Sequence, residues 1–378
     1  MTRSTLPDSG LVRPFSLGPL PERPLVSVLV TNYNYGRYVG AAIQSVLAQT
    51  YPHFEIVICD DGSTDDSCEV IESWCRKDPR VRLIRQANLG QGSAMNTTFS
   101  AAKGGVIVLL DADDLAHEQR LELTVRVFHQ HPETGMVTHP LRILDQEGRP
   151  CGRDPEEPLD EGWLAPALLR GPEPVFPPTS GIALRMEIAK RVYPMPWPRV
   201  SFADWNWAVR EGAAFLAPVR AIDDTLGSYR LHGSNVFGHC RFTTLKDIDR
   251  RYGELEGAIK VRQIYAQRFL GAEVNEQVCN DVIGVLVLSR AALCGKRLSQ
   301  SEISRYSHGK SRWIWSLLFF LPSWWRKQIY LWGRRTQIPW KARRLKGQAV
   351  RFLESLGGTL GVQWKPWRRV RQERMNLQ

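Results

Sequence analysis

Three polar clusters carry the residue types that can do chemistry, and each closes an apolar run. Val106 to Leu110 (VIVLL) leads into Asp111-Ala112-Asp113-Asp114, and Phe54 to Cys59 (FEIVIC) leads into Asp60-Asp61-Gly62-Ser63. Leu25 to Val30 leads into Thr31-Asn32-Tyr33-Asn34. Carboxylates crowded into one turn repel each other, and a hard divalent cation relieves the repulsion. Mg²⁺ and Mn²⁺ prefer oxygen ligands and often share them with substrate phosphates. Two more candidates lie past residue 200: Asp204, in SFADWNW, and His232, in YRLHGSN. A carboxylate at such a place can take a proton from a hydroxyl, or it can cap the helix that follows. Structural readings stand beside the chemical ones elsewhere too. Asp60 can accept backbone N–H groups in its turn, Asp114 can cap a helix, Gly62 can permit the tight turn, and Tyr33 can pack at a strand end.

The elements that must position these groups follow from hydrophobic periodicity. Apolar residues at helical spacing mark Tyr38–Ala48, Ser67–Arg76, Gln91–Ala102 and Gln119–His131, with Thr64 or Asp65 as the expected cap of the second helix. Between them lie the apolar runs above and a short one at Val81–Arg85. Strands alternating with helices of this length mean βαβ units and a parallel sheet, whose ligands bind at the carboxyl ends of the strands. The three polar clusters fall at those ends. Further on, the pattern predicts a strand over Met136–Leu144, a loop over Asp145–Asp160, a short helix over Ala203–Gly212 and a strand over Ala213–Val219. After Thr244 the period is helical.

Charge divides the chain. Of the formal net charge of +11, residues 296–378 carry +16, with 19 Lys and Arg against 3 Asp and Glu, and residues 1–295 carry −5. Eight of the 13 Trp residues share the basic tail. An evenly basic nucleic-acid-binding domain is therefore disfavoured. Seven cysteines without a CxxC pair argue against a zinc ribbon or a disulfide framework and for a reducing compartment. The first 24 residues have no continuous apolar core of the kind a signal peptide carries. Trp313 to Trp325 (WIWSLLFFLPSWW) is too short to span a bilayer and is interrupted by Pro322. Its tryptophans and flanking cations suit an anionic membrane surface. A C-terminal helix packed on the body with its basic face in solvent is the other reading.

VSVLVTNYN, EIVICDDGSTDDS, NLGQGSAMN and VIVLLDADD, in that order, resemble the family 2 glycosyltransferases, which are inverting enzymes of GT-A fold. The resemblance runs from about Leu25 to Phe237. It implies an α/β fold of GT-A type, a Rossmann-like and mostly parallel sheet flanked by helices, here with a helical basic C-terminal extension. It implies Thr31, Tyr33 and Asn34 along the nucleobase pocket, Asp61 on the base edge, and Asn88 to Asn96 over the ribose and donor sugar. Asp111 and Ala112 would serve the ribose or sugar, and Asp113, with His232, a Mn²⁺ or Mg²⁺ ion bridging the diphosphate. Where the family often has Glu-Asp, this chain has Ala203-Asp204, which leaves Asp204 as the base.

The expected domains are a flexible lead (1–24), a GT-A domain (25–240), a helical extension (241–310) and a basic Trp-rich tail (311–378) that associates with membrane. The expected donor is a nucleoside diphosphate sugar, with a UDP-sugar favoured, and the acceptor a saccharide or lipid-linked saccharide in surface polysaccharide or glycoconjugate synthesis. The expected location is cytoplasmic, peripheral on the cytoplasmic face of the membrane, with nucleic acid not a partner. Two other readings remain. Sugar nucleotidyl transfer usually needs a Gly-rich, Arg-containing loop after the first strand, where this chain has NYNYGRY. A non-catalytic membrane or nucleic-acid adaptor would work through the tail alone.

Overall fold

Apolar residues on both faces of a strand force it into the middle of a sheet. In the computed structural model, β1 (Val26–Asn32) and β2 (Phe54–Asp60) are buried along their whole length. The structure describes residues 13–151, 158–170, 174–194, 202–232 and 245–275, with single positions between 287 and 301; the side chains of 202–207 and of several residues in 245–255 fall outside it. The expected basic tail, 311–378, and its membrane attachment lie outside the described residues, as does the part of the closing motif beyond His232.

The chain alternates as its periodicity requires. After β1 come α1 (Gly36–Leu47), β2, α2 (Ser67–Lys77), β3 (Val81–Arg85), α3 (Gln91–Ala101) and β4 (Val106–Asp111). Then follow β5 (Leu115–Ala116), α4 (Arg120–Gln130), β6 (Met136–Thr138), β7 (Arg142–Leu144) and α5 (Ala165–Arg170). A 3₁₀ turn over Thr179–Gly181 leads to β8 (Ile182–Arg185), α6 (Met186–Val192), α7 (Phe202–Leu216), β9 (Val219–Ala221), β10 (Gly227–Arg230) and α8 (Leu245–Leu270). Seven strands form one sheet in the order β3-β2-β1-β4-β8-β6-β9, mostly parallel, with β8 antiparallel to both its neighbours. A small second sheet has the order β5-β10-β7.

Alternation along the strands builds one core on each face of the main sheet. Val26, Val28 and Val30 of β1 and Val106, Val108 and Leu110 of β4 pack with α1, α2 and α4. Leu29, Ile107 and Leu109 face the other way, toward Met95 of α3 and toward α6, α7 and α8. Each fully buried aliphatic side chain contributes roughly 1.5–3 kcal/mol. Strand β1 sits between β2 and β4, so the chain reverses its direction of growth there, with Thr31 beside Asp111. Such a crevice is where open α/β sheets bind ligands.

Two sequence expectations need correction. The strand expected over Met136–Leu144 is two strands in two different sheets, parted at His139-Pro140-Leu141. Proline has no N–H to give a ladder, so pairing stops there. The strand expected over Ala213–Val219 is the end of α7, which runs to Leu216, and only Val219 opens β9. Ala213, Ala214 and Phe215 are wholly buried, and a short apolar run buried on all sides has no period to separate helix from strand. Within the expected flexible lead, residues from Arg13 on are fastened down. Phe15 N–H donates to the Leu216 carbonyl at 2.6 Å, and buried Arg185 donates to the Gly18 carbonyl at 2.5 Å.

Candidate active site

The site begins at the turn after β4. Asp111 ends the strand partly exposed, whereas Ala112, Asp113 and Asp114 are buried. Ala112 lies in the core with its methyl, so it offers the site only its backbone. Asp114 accepts hydrogen bonds from the Ser180 hydroxyl at 2.5 Å and from Arg230 N–H at 2.9 Å. It therefore ties the turn to the 3₁₀ segment and to β10 and does not cap α4. Arg230 donates from Nε to the Asp113 carbonyl at 2.8 Å and is buried, so its guanidinium braces the turn from behind.

Pairing between sheets explains why distant residues meet here. Strand β5 follows the turn directly and pairs antiparallel with β10, placing Gly227 opposite Ala116. Two residues past β10, His232 Nε2 lies 2.7 Å from Asp113 Oδ2, with both side chains buried. Sequence reasoning grouped these two residues, and the structure brings them together across 119 positions. Among the described residues, no three His, Cys, Asp or Glu side chains converge to hold a metal ion by themselves. The Asp113–His232 pair supplies one oxygen and one nitrogen donor, a set that fits a divalent ion whose other ligands are phosphate oxygens or water.

Electrostatics at the turn follow from crowding. Burial raises Asp111 to about 8; the charge of Asp113 adds to this and Arg120 opposes it. Burial also raises Asp114 well above the carboxylate range, reinforced by Asp113 and then Asp111. Buried Arg120 donates to the Leu109 carbonyl at 2.8 Å, and burial lowers it to about 9 against the pull of Asp114 and Asp111. Burial first, then the charges of Asp113 and Asp111, raises the Tyr35 hydroxyl, which stays a neutral donor beside the acids.

The turn after β2 is built differently. Burial works against ionised Asp60, but bonds from the Ser63 hydroxyl (2.7 Å), Ser63 N–H (2.9 Å) and Asn32 Nδ2 (2.7 Å) outweigh it, so its pKa is lowered. Asp60 is thus the structural acid of the pair. Asp61 is also buried, and its carboxylate accepts from Gln86 Nε2 at 2.7 Å, Leu89 N–H at 3.0 Å and Gly90 N–H at 2.8 Å. It organises the 86–90 segment, using three of roughly four acceptor positions of a carboxylate. Gly62 is needed at its place: its φ is +77°, and a Cβ there would lie 2.9 Å from Asn88 N.

The first cluster divides in the same way. Thr31 is buried at the strand end and Tyr33 is 43% exposed, its ring open to a ligand. Asn34 adopts φ +56° and accepts from Thr64 N–H at 2.8 Å, so its amide oxygen holds the neighbouring turn. In the segment expected to close over ribose and sugar, Asn88 is exposed. Asn96 lies about 7–8 Å further along α3 than Gln91. It lines an open groove of about 400 Å³ with Ser93, Thr97 and Ser100. Gln91, inside the 88–96 segment but not singled out there by the sequence, reaches both strand ends, with Nε2 3.4 Å from Thr31 Oγ1 and from Asp111 Oδ1. Its signal was its place as first residue of α3. Asp204 is the third residue of α7, inside the first turn and not at the cap; its side chain falls outside the described residues.

With this geometry in view, comparison with known proteins identifies the chain. The description Glycosyl transferase family 2 matches residues 27–180, which hold every element from β1 to the 3₁₀ turn beneath Asp114. That stretch is a glycosyl transferase family 2 domain. The sheet is accordingly the mostly parallel GT-A sheet. An uncharacterized glycosyltransferase of Nostoc sp. is 39% identical over 214 residues, covering 56% of this chain and 66% of that protein. Chondroitin synthase of Escherichia coli is 38% identical over 125 residues, 33% of this chain and 18% of the synthase. The chain thus matches less than two thirds of the length of either relative. A mannosyltransferase from Pyrobaculum calidifontis is similar at 19% identity and TM-score 0.48, over 88% of this chain and 92% of that one.

Proposed function

We propose that this family 2 protein transfers a sugar from a nucleoside diphosphate sugar to an acceptor hydroxyl, with inversion at the anomeric carbon and with Mn²⁺ or Mg²⁺ as cofactor. The observation that carries the reading is the buried Asp113–His232 pair, 2.7 Å apart, at the strand ends where the sheet reverses. Asp113 and His232 would hold the ion. When bound, it would supply positive charge against the departing diphosphate. Thr31 and the exposed Tyr33 ring flank the nucleobase, and Asp61, still with an acceptor position open, shapes the adjoining 86–90 loop. A uracil base is the favoured partner. Gln91 positions Asp111 toward the ribose or sugar.

On the acceptor side, Asp204 takes the proton of the acceptor hydroxyl. The oxygen forms a bond to the anomeric carbon as the bond to the β-phosphate oxygen breaks, and the electron pair leaves with the diphosphate. One displacement inverts the centre. The acceptor is a saccharide or lipid-linked saccharide of surface polysaccharide or glycoconjugate synthesis, met at the cytoplasmic face of a membrane to which residues 311–346 attach.

Two measurements test this. A thermal-shift panel of nucleoside diphosphate sugars with Mn²⁺ should rank UDP-sugars first, because a ligand of the folded state raises apparent stability. In the Asp204→Asn variant the same donor shift should survive while transfer falls by at least about a hundredfold, the scale of general-base catalysis. Wild-type turnover by that variant removes Asp204 from the role, and no shift with any sugar nucleotide removes the donor class.

A further inference from the structure

A histidine that must present one nitrogen to a partner needs its ring plane held. His232 is held by two rings at the start of α1, Tyr35 just before the helix and Tyr38 in its first turn. The Tyr38 ring lies 5.2 Å from the His232 ring at an interplanar angle of 20°, a stacked pair. Tyr35 meets the same imidazole edge-on, with centroids 5.5 Å apart and planes at 67°. Stacked and T-shaped arrangements of this kind are favourable ring geometries. The imidazole is thus fixed on two sides, with Nε2 directed at Asp113.

The supports are themselves fixed. Tyr38 N–H and Val39 N–H both donate to the Tyr35 carbonyl, at 2.8 and 2.9 Å, closing the first turn of α1. Gly36 N–H donates to Asp65 Oδ2 at 3.0 Å, and a Cβ on Gly36 would lie 1.9 Å from Asp66 Oδ1, so a larger residue there would have to displace the Asp66 side chain. The Arg230 guanidinium lies 5.1 Å from the Tyr38 ring centroid while donating to the Asp113 carbonyl. One ring therefore touches the base of the acidic turn and the histidine that meets it.

We infer that Tyr38 is a positioning residue, which by stacking on His232 orients Nε2 toward Asp113 and the cation that the pair would hold. The inference rests on the metal reading above, but its geometric part stands apart from it. Neighbours that orient a ligand typically change metal affinity by about 10–100-fold when removed. The aromatic face does this work, so phenylalanine should replace tyrosine and an aliphatic side chain should not.

The test uses the full chain with isotope-labelled histidine, the His232 resonance being assigned with a His232→Gln variant. Stacking should move the His232 ring protons upfield in wild type and in Tyr38→Phe, and Tyr38→Leu should abolish the shift. Titration with Mn²⁺ in the presence of UDP should broaden the His232 signal at the same concentration in wild type and Tyr38→Phe, and at about tenfold higher concentration in Tyr38→Leu. A Tyr38→Leu protein that keeps both the shift and the titration midpoint overturns the inference. So does a wild-type His232 without an upfield shift, a result that does not depend on the variant folding. A wild-type shift with no response to Mn²⁺ overturns the metal reading and leaves the ring-shift comparison to decide the positioning.

Discussion

At the scale of single residues, burial separates acids and bases of the same type into different tasks. His232 faces a carboxylate, whereas His139 is enclosed, with Nδ1 3.0 Å from the Pro140 carbonyl, to which it must donate. Burial, and then the charge of Arg120, lowers His139 to about 3. The unfolded chain would protonate it near 6.5. Between those values the unfolded state binds more protons, so this residue's contribution to stability is complete above about 6.5 and lost as pH falls toward 3. His139→Asn keeps a donor near Nδ1 and removes the titration. Its melting temperature should therefore fall less than that of wild type between pH 7 and pH 4. Asp111 and Asp114 act with the opposite sign, but both proteins contain them, and they cancel in the difference. Parallel melting curves across that range would remove His139 as the cause. The sequence showed which residues could do chemistry but not which would be enclosed. Asp60 and Asp61 are adjacent, yet one holds its own turn while the other holds a loop 25–29 positions away. The resemblance placed Asn34 along the nucleobase pocket, and in the structure its amide oxygen also accepts from Thr64 N–H.

At the scale of elements, the helical region beyond Thr244 supports α7, the helix that carries the proposed base. Helix α8 crosses α7 with a buried ion pair between them, Arg262 Nε to Glu211 Oε2 at 2.8 Å and Arg262 NH2 to Glu211 Oε1 at 2.5 Å. Glu211 lies seven residues beyond Asp204, two turns along α7 and on the same face. The pair therefore helps set the axis of the helix that carries the proposed base. Removing one partner strands a buried charge, which costs about 3–5 kcal/mol, while replacing both with apolar residues of similar size is often neutral. Arg262→Met should accordingly lower the urea midpoint strongly, and Glu211→Leu with Arg262→Met should recover most of the loss. A double variant no more stable than the single one would mean that the charges are irreplaceable there. Periodicity announced α8 as a helix, and the inner strands β1, β2 and β4 were equally plain because they are buried on both faces. What failed was the stretch between, since the Pro140 break and the all-round burial of Ala213–Phe215 leave no period to read.

At the scale of the whole molecule, charge is divided along the chain. The region matching the family carries Asp61, Asp111 and Asp113 of the proposed site, and the excess of positive charge lies beyond residue 295. Polybasic segments gain about 1 kcal/mol per Lys or Arg near an anionic surface, and that gain fades within a Debye length. The thirteen-residue, mostly apolar and aromatic stretch between Arg312 and Arg326-Lys327 would add an interfacial anchor that salt does not screen. The two contributions can be separated on the full chain. Co-sedimentation with vesicles should rise steeply with the fraction of anionic lipid, weaken in high salt, and retain a residual part. Arg326→Glu with Lys327→Glu should reduce the salt-sensitive part, and Trp324→Ser with Trp325→Ser the residual part. If sedimentation is equal on neutral and anionic vesicles and unchanged by either pair, the tail does not address the enzyme to a charged membrane. A basic face packed beside the acidic body would then be the better account of +16 against −5.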